Sequence, residues 1–346
     1  MCSSKDISIV GGGLAGLTLG IALRQRRVSV TVHEAGVYPR HRVCGEFMSG
    51  AGVTYLQELG MLDALVEAGA IPIRTFALFY HGTGTGVREV PPGAWALSRY
   101  ELDHLLALEF QRRGGHLHEN KRWRGSFPDG TVRATGRHPE RRAGSRRFIG
   151  LKVHARHVSL AADLEIHFVP GGYVGLCRLP RDETNVCGLF RRQTQIPDLH
   201  RNWRNLLSGA ERSFLRERMS EAVFDPASFC AVAGLPADRK SLIPSEDLTV
   251  GDAMGMTPPL TGNGMSMAFE SAHLAVGPLC EYAAGDRTWI EVTQSVHLRH
   301  LTEFARRIHF AGTLEQFLFR SSWQWTATKL AQALPGAIPW FFTATR

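Results

Sequence analysis

The sequence predicts an α/β fold: a parallel sheet with intervening helices, interrupted by an antiparallel sheet and followed by C-terminal helices. Three observations predict it. The chain opens on a strand, a glycine turn, a helix and a second strand. Short alternating apolar segments crowd the stretch from Phe148 to Phe190. A further apolar strand, glycine-broken loop and apolar helix begin near Leu248.

The opening unit is the most specific. Ile7-Ser8-Ile9-Val10 runs into Gly11-Gly12-Gly13-Leu14-Ala15-Gly16, and Glu34 closes the next apolar run, Val28 to His33. A dinucleotide-binding βαβ unit needs this order. Gly11 makes the tight turn, Gly13 lets backbone approach a pyrophosphate, and Gly16 lets the helix pack on the sheet. The helix N-terminus offers unpaired N–H groups and a positive dipole end to phosphate. Glu34 can accept hydrogen bonds from ribose hydroxyls, with Ala35 beside it.

Ala51–Ala70 has helical periodicity, and Ile73–Tyr80 and Val87–Val90 read as strands. Ser98 is a candidate N-cap for a helix from Arg99 to about Arg113, stopped by Gly114-Gly115. Residues 148–155, 164–169, 173–179 and 185–190 read as antiparallel strands, and 199–222 as helical. Leu248-Thr249-Val250-Gly251-Asp252 reads as a buried strand ending in an acid. An apolar helix, Met265–Leu279, follows it, and a helical tail runs from Thr288 to Trp325.

The run Gly251-Asp252-Ala253-Met254-Gly255-Met256-Thr257-Pro258-Pro259-Leu260-Thr261-Gly262-Asn263-Gly264-Met265 resembles the second FAD motif of the flavin monooxygenases and reductases that share the p-hydroxybenzoate hydroxylase fold. With the N-terminal unit, the resemblance spans about residues 5–280. It is nearest to the geranylgeranyl-reductase-like branch, through Tyr38–Phe47 and Gly172-Tyr173-Val174-Gly175-Leu176. It implies a glutathione-reductase-like FAD-binding Rossmann domain with an inserted antiparallel β-sheet substrate domain and C-terminal helices. On that reading residues 1–72, 97–147 and 245–285 hold FAD. Residues 73–96 and 148–244 form the substrate domain, and 286–346 the helical segment.

The resemblance assigns the cofactor set Gly11, Gly13, Leu14, Ala15, Gly16, Glu34, Ala35, Arg42, Arg99, Trp123, Asp252, Pro259, Gly262, Asn263, Gly264 and Met265. Asp252 would meet a ribityl hydroxyl or the pyrophosphate, and Pro258-Pro259 would wall the isoalloxazine. The N–H groups from Gly262 to Met265 would face the flavin N1–O2 edge, where they stabilise negative charge. Trp123 would offer a backbone contact to adenine. The plain alternatives are a surface helix residue for Arg99 and an ordinary core tryptophan for Trp123.

Flavin supplies the redox chemistry, so the protein positions substrate, controls protons and excludes water. Cys44, Glu46 and Tyr173 are the candidate catalytic residues: Cys44 lining the flavin, Glu46 relaying a proton or binding a polar substrate group, Tyr173 projecting from the roof sheet. A small buried thiol, a surface glutamate and a core tyrosine are their plain alternatives. Lys152, His154 and His167 sit on strands of the same sheet and read first as structural.

The chain departs from the family in two places. The β-meander expected after Lys121–Trp123 is nearly deleted, only Arg124–Arg133 intervening before Ala134-Thr135-Gly136-Arg137. Thr135 stands where aromatic hydroxylases carry the aspartate that serves FAD and pyridine nucleotide. NADPH or NADH as transient reductant is therefore set against a separate electron donor. Trp323-Gln324-Trp325 evokes the tryptophan motif of flavin halogenases but lacks its Ile-Pro, which argues against halogenation.

Composition bounds the rest. The 346 residues, 44% hydrophobic and 21% charged, are those of an ordinary globular protein. A formal charge of +8 suits an anionic cofactor and a substrate that is anionic or carrier-bound. Dispersed arginines, apart from the Arg133–Arg147 stretch, give no nucleic-acid signature. No apolar run reaches the ~18 residues of a transmembrane segment. The six cysteines lack paired or CxxC spacing, so neither a metal site nor a disulfide frame is expected. With the first strand close to Met1, this predicts a cytoplasmic protein. The tail Leu330–Phe342 reads as a cavity cap, a membrane-touching segment or core.

The leading expectation is an FAD-dependent monooxygenase that hydroxylates or epoxidises a hydrophobic small molecule in secondary metabolism. A C=C reductase of an isoprenoid or polyketide, a non-catalytic flavin-binding protein and a flavin-free NAD-dependent dehydrogenase are the alternatives. The 251–265 motif argues against the last.

Overall fold

The computed structural model describes residues 5–137, 147–191, 199–236, 242, 245–319 and 321–334. Most of the basic stretch before Arg147, and the tail beyond Leu334, therefore lie outside the described residues.

The parallel sheet runs Thr131–Arg133, Ile7–Val10, Val30–His33, His116–His118. Thr249 extends it with a single parallel bridge to Arg133. The expected strand at Leu248–Asp252 is thus shorter than read. Gly251, at φ +63°, turns the chain into a 3-10 turn over Gly251–Ala253, and Asp252 sits in that turn. Helix Leu14–Gln25 packs between this sheet and the long helix Gly264–Ala284, burying Leu17, Leu19, Ile21 and Leu23 with Phe269, Ala272 and Leu279. Ser98 caps helix Arg99–Arg112 as expected, its side chain accepting from the Glu101 N–H.

The second sheet has the order Val223–Pro236, Arg147–Arg156, Glu183–Arg191, Gly172–Arg178, Leu164–Val169, Thr75–Tyr80, Thr83–Gly84. Its pairs are antiparallel except Leu164–Val169 with Thr75–Tyr80, which is parallel. The strand Val223–Pro236 was not anticipated. Pro226 and Gly234 punctuate it like a loop, and the pairing accommodates them with register shifts opposite Phe148/Ile149 and Lys152/His154. Arg88–Glu89, shorter than the strand read there, pairs with the Thr75–Tyr80 strand. Phe47–Met48, Trp95–Ala96 and Ile71–Pro72 make a small third sheet.

The helical reading of 199–222 divides into Leu199–Ser208 and Phe214–Arg218. These cover one face of the large sheet, where Trp203, Leu207 and Leu215 meet Leu151, Val153, Val174 and Val186. The C-terminal tail is likewise two helices, Trp289–Leu318 and Ser321–Ala333, rather than one. No helix among the described residues is long and apolar enough to cross a membrane.

Candidate active site

Two glycine turns each lead into a helix N-terminus, at Gly13 and at Gly264. At the first, Gly11 has φ +111°, and a Cβ there would stand 2.2 Å from the Ala134 carbonyl oxygen; a Cβ on Gly16 would stand 2.0 Å from the Gly11 oxygen. These two glycines are required by packing alone. Gly13 differs: its backbone is ordinary extended chain, and a Cβ would meet nothing within 4 Å. Its freedom serves open space at the N-terminus of Leu14–Gln25, which carries no side-chain cap. Leu14 and Ala15 are buried behind it.

The second turn is built the same way. Pro259–Thr261 is a 3-10 turn ended by Gly262 at φ +63°, and Asn263 precedes helix Gly264–Ala284, again without a side-chain cap. Gly262 and Gly264 are exposed while Thr261, Asn263 and Met265 are buried, so the backbone is presented at the surface of the turn. A Cβ on Gly264 would meet nothing within 4 Å. Gly251, in the separate 251–253 turn, lies against the first helix: a Cβ there would stand 2.8 Å from that of Ala15. Two uncapped helix N-termini with clear approach suit a bound anion and an electron-rich ring edge. The residues therefore fit FAD.

Glu34 is buried and already satisfied. It accepts from the N–H groups of Gly12 and Gly36, each at 2.8 Å, and pairs with Arg40 at 2.7 Å. Burial works against its charge, but Arg40 and these N–H donors outweigh it and hold the carboxyl below its ordinary range. The Tyr38 hydroxyl donates to the Gly12 carbonyl. Ala35 is exposed beside them. Trp123 is half-buried against His33, 4.9 Å between ring centroids, and its indole N–H donates to the carbonyls of Gly125 and Ser126.

Arg99 is held bidentate by fully buried Asp103 at 2.7 and 2.8 Å, with Arg42 4.0 Å from the same carboxylate. The Arg99 charge also acts on the nearby Cys44 thiol. Burial pushes that thiol's pKa up, so Cys44 is a protonated thiol rather than a nucleophile.

Beside Cys44 lies a buried polar cluster. Glu46 is fully buried, not a surface residue, and takes a left-handed φ of +58° that turns its carboxylate inward. It accepts from the Arg99 backbone N–H at 2.9 Å, pairs with Lys152 Nζ at 3.2 Å and meets His154 Nε2 at 2.7 Å. Lys152 is itself fully buried and donates to His41 Nδ1 at 3.0 Å. Burial opposes the Glu46 charge, yet His154 and Lys152 win and lower its pKa. His41 is driven down to about 4, chiefly by burial and then by Lys152 and His154, so its ring is neutral at pH 7. The Asn185 amide closes the cluster by donating to the Cys44 carbonyl at 2.9 Å.

Strand alternation explains the assembly. Lys152 and His154 project from one face of Arg147–Arg156, opposite the face that buries Leu151 and Val153. Cross-strand register aligns Lys152 with Cys187 and His154 with Asn185. Farther along the same face, Phe148, Leu189, Tyr173 and Phe168 form an apolar patch with Met256 and Phe319. The face is thus polar at one end and apolar at the other. Tyr173 belongs to the apolar end, where burial raises its pKa well above the ordinary value. His167 projects from the other face, 2.8 Å from Glu165 and stacked on Phe79, and takes no part.

Trp323 and Trp325 are 46% and 53% exposed on the last helix and do not enter the site. Cys44, Cys177, Cys187, Cys230 and Cys280 are free thiols, and no metal-holding cluster occurs among the described residues.

A family model described as an NAD(P)-binding Rossmann-like domain matches residues 9–49. The squalene epoxidase erg1 of Aspergillus fumigatus is 33% identical over 75 residues, 22% of this chain and 16% of that protein. The chain thus matches about a sixth of the length of such curated relatives. Among solved structures, the myxobacterial chondrochloren halogenase CndH, described as a variant of FAD-dependent halogenases, superposes with a TM-score of 0.72. It is 18% identical and covers 90% of this chain and 81% of its own. A geranylgeranyl bacteriochlorophyll reductase-like protein from Thermoplasma acidophilum gives 0.73 at 16% identity, covering 98% and 95%. At these identities the likeness speaks to the fold, and this chain has the FAD-type Rossmann fold with an added antiparallel sheet and C-terminal helices.

Proposed function

We propose that this protein is an FAD-dependent oxidoreductase, in the first instance a monooxygenase acting on a hydrophobic small molecule. The carrying observation is two uncapped helix N-termini, at Gly13 and Gly264, each with open space at its glycine, on helices that pack on each other. The first would hold the pyrophosphate and the second the flavin ring edge. Glu34 would receive the ribose, and Asp252 the ribityl or pyrophosphate oxygens. Residues 1–72, 97–147 and 245–285 form the FAD-holding part under this proposal. Bound FAD would supply electron transfer to oxygen or to substrate.

The chain's own residues then have defined work. The face from Phe148 to Tyr173 excludes water and binds apolar substrate. Glu46, Lys152, His154 and His41 form a hydrogen-bonded path along which a proton can be held beside Cys44. Such a buried ionic cluster is costly to maintain, which favours an enzyme over a passive flavin carrier. The similarity to squalene epoxidase supports the monooxygenase reading. A C=C reductase is the second reading, favoured by Cys44 and the reductase-like fold. Thr135, exposed where the family pattern has an aspartate, favours a separate electron donor over direct reduction by NADPH.

The test is FAD binding by Gly13→Ala. The added methyl meets no protein atom, so folding is expected to be unchanged while FAD affinity falls about tenfold or more, a step of about 1.4 kcal/mol. Absorbance of the purified protein and its FAD-to-protein ratio read this out. Wild-type protein that stays colourless after reconstitution removes the proposal. If FAD binds, oxygen consumption coupled to product formation separates monooxygenase from reductase.

A further inference from the structure

A second buried carboxyl lies beside the apolar end of this sheet face, near Tyr173 and Leu260. Glu315 lies near the end of the helix Trp289–Leu318, 4% exposed, and its Oε1 has no hydrogen-bond partner among the described residues. One turn on, Phe319 bonds its N–H to the Glu315 carbonyl and packs on Phe148 at 4.4 Å and Tyr173 at 6.1 Å. Glu315 therefore shares a helix face with a residue of the apolar patch. The Leu260 backbone N–H, two residues before Gly262, lies near enough to pull against the effect of burial on its carboxyl.

The surroundings offer little to balance a charge. The sheet contributes Tyr173, itself held protonated, and among the described residues Arg191 has its guanidinium 5.9 Å from the Phe319 ring. The 256–260 loop contributes no ionisable side chain. Burial accordingly drives Glu315 up to about 8, against a smaller opposing pull from the Leu260 N–H. At neutral pH the carboxyl is a hydrogen-bond donor in apolar surroundings. A buried donor without a partner is costly, which gives a ligand oxygen something to repay.

We propose that Glu315 is a substrate-binding residue whose protonated carboxyl donates a hydrogen bond to a neutral acceptor oxygen, such as a carbonyl, on an otherwise hydrophobic substrate. This deepens the flavoenzyme reading and rests on it. It narrows the substrate from a pure hydrocarbon to an apolar molecule with one oxygen at the end away from Glu46.

The test uses the full chain loaded with FAD and two probes of similar size, acetylnaphthalene and ethylnaphthalene, titrated by flavin absorbance. Wild type is expected to bind the ketone about five- to tenfold more tightly, the worth of one hydrogen bond. Glu315→Gln, which keeps an N–H donor, is expected to retain the preference, and Glu315→Leu to lose it. Difference infrared spectra at pH 7 are expected to show a protonated carboxyl band that disappears in Glu315→Gln. No preference in wild type, binding of neither probe, a preference surviving in Glu315→Leu, or no such band overturns the proposal. If Glu315→Leu does not fold, the infrared band and the wild-type preference decide. FAD content is measured first, so failure of the flavin reading is seen separately.

Discussion

Two buried glutamates, one at each end of the same sheet face, are treated in opposite ways. Glu46 is surrounded by Lys152, His154 and a backbone N–H, and its carboxyl is held below the ordinary range. Glu315 is surrounded by Phe319, Tyr173 and the 256–260 loop, and its carboxyl is raised to about 8. Burial penalises both charges; only Glu46 has partners that outweigh the penalty. The same side chain is thereby an anion at one end of the sheet face and a neutral acid at the other, which is how one site can keep acid and base apart.

The largest expected effect comes from breaking the Glu46 end. Lys152→Met leaves Glu46 without its cationic partner in a dry interior, and the expected cost is about 3–5 kcal/mol, read from the urea midpoint. Pairing it with Glu46→Gln is expected to restore more than half of that loss, since the uncompensated charge goes with it. A Lys152→Met protein as stable as wild type would mean that the ion pair does not hold Glu46 charged.

A smaller structural but substantial kinetic effect is expected of Glu46→Gln alone. If Glu46 relays a proton, turnover falls about a hundredfold and loses the limb of its pH profile that Glu46 sets. An unchanged profile would leave the cluster a structural one.

The mildest effect sharpens the contrast through pH. His41 and His300 are both lowered to about 4, each chiefly by burial, so the unfolded chain binds their protons first and stability drops as pH falls from about 6.5 toward 4. Glu315 has the opposite sign. The folded state keeps its proton up to about pH 8 while the unfolded chain releases it near 4.5, so its contribution is lost as pH rises across that interval. Thermal melts of Glu315→Gln are therefore expected to gain on wild type steadily between pH 4.5 and 8. Parallel curves would show that Glu315 is already ionised.

Much of this was legible in the chain, for local reasons. Gly11, Gly16 and Glu34 belong to one short unit whose spacing specifies its turn, and Ser98 capped its helix where the next acid, Glu101, promised it. The second turn, at Gly262 to Met265, was equally readable. What escaped depends on long-range register. Glu46 was named, but its partner His154 is 108 residues away, and neither His154 nor Lys152 looks special until the strand's faces are assigned. Polar Lys152 and His154 alternating with Leu151 and Val153, in a strand buried on both sides, was the available signal. Glu315 carried a similar one, continuing a buried stripe through Ile308, Ala311 and Gly312 at helical spacing. Val223–Pro236 was hidden by Pro226 and Gly234, which only a bulged edge strand tolerates.

The contact of Gly251 with Ala15 has a consequence for how the protein is made. The two turns that would cradle the cofactor come from opposite ends of the sequence, so neither cradle exists whole while the chain is still short. A ribosome-bound chain that has not yet emitted Gly264 has the first helix and its phosphate-side turn but lacks the second. During synthesis the Leu14–Gln25 helix must wait, its apolar surface uncovered by Phe269, Ala272 and Leu279. Under the flavin proposal, cofactor loading cannot precede the emergence of residue 264, and scarcity of flavin would be felt by chains that have already passed that point.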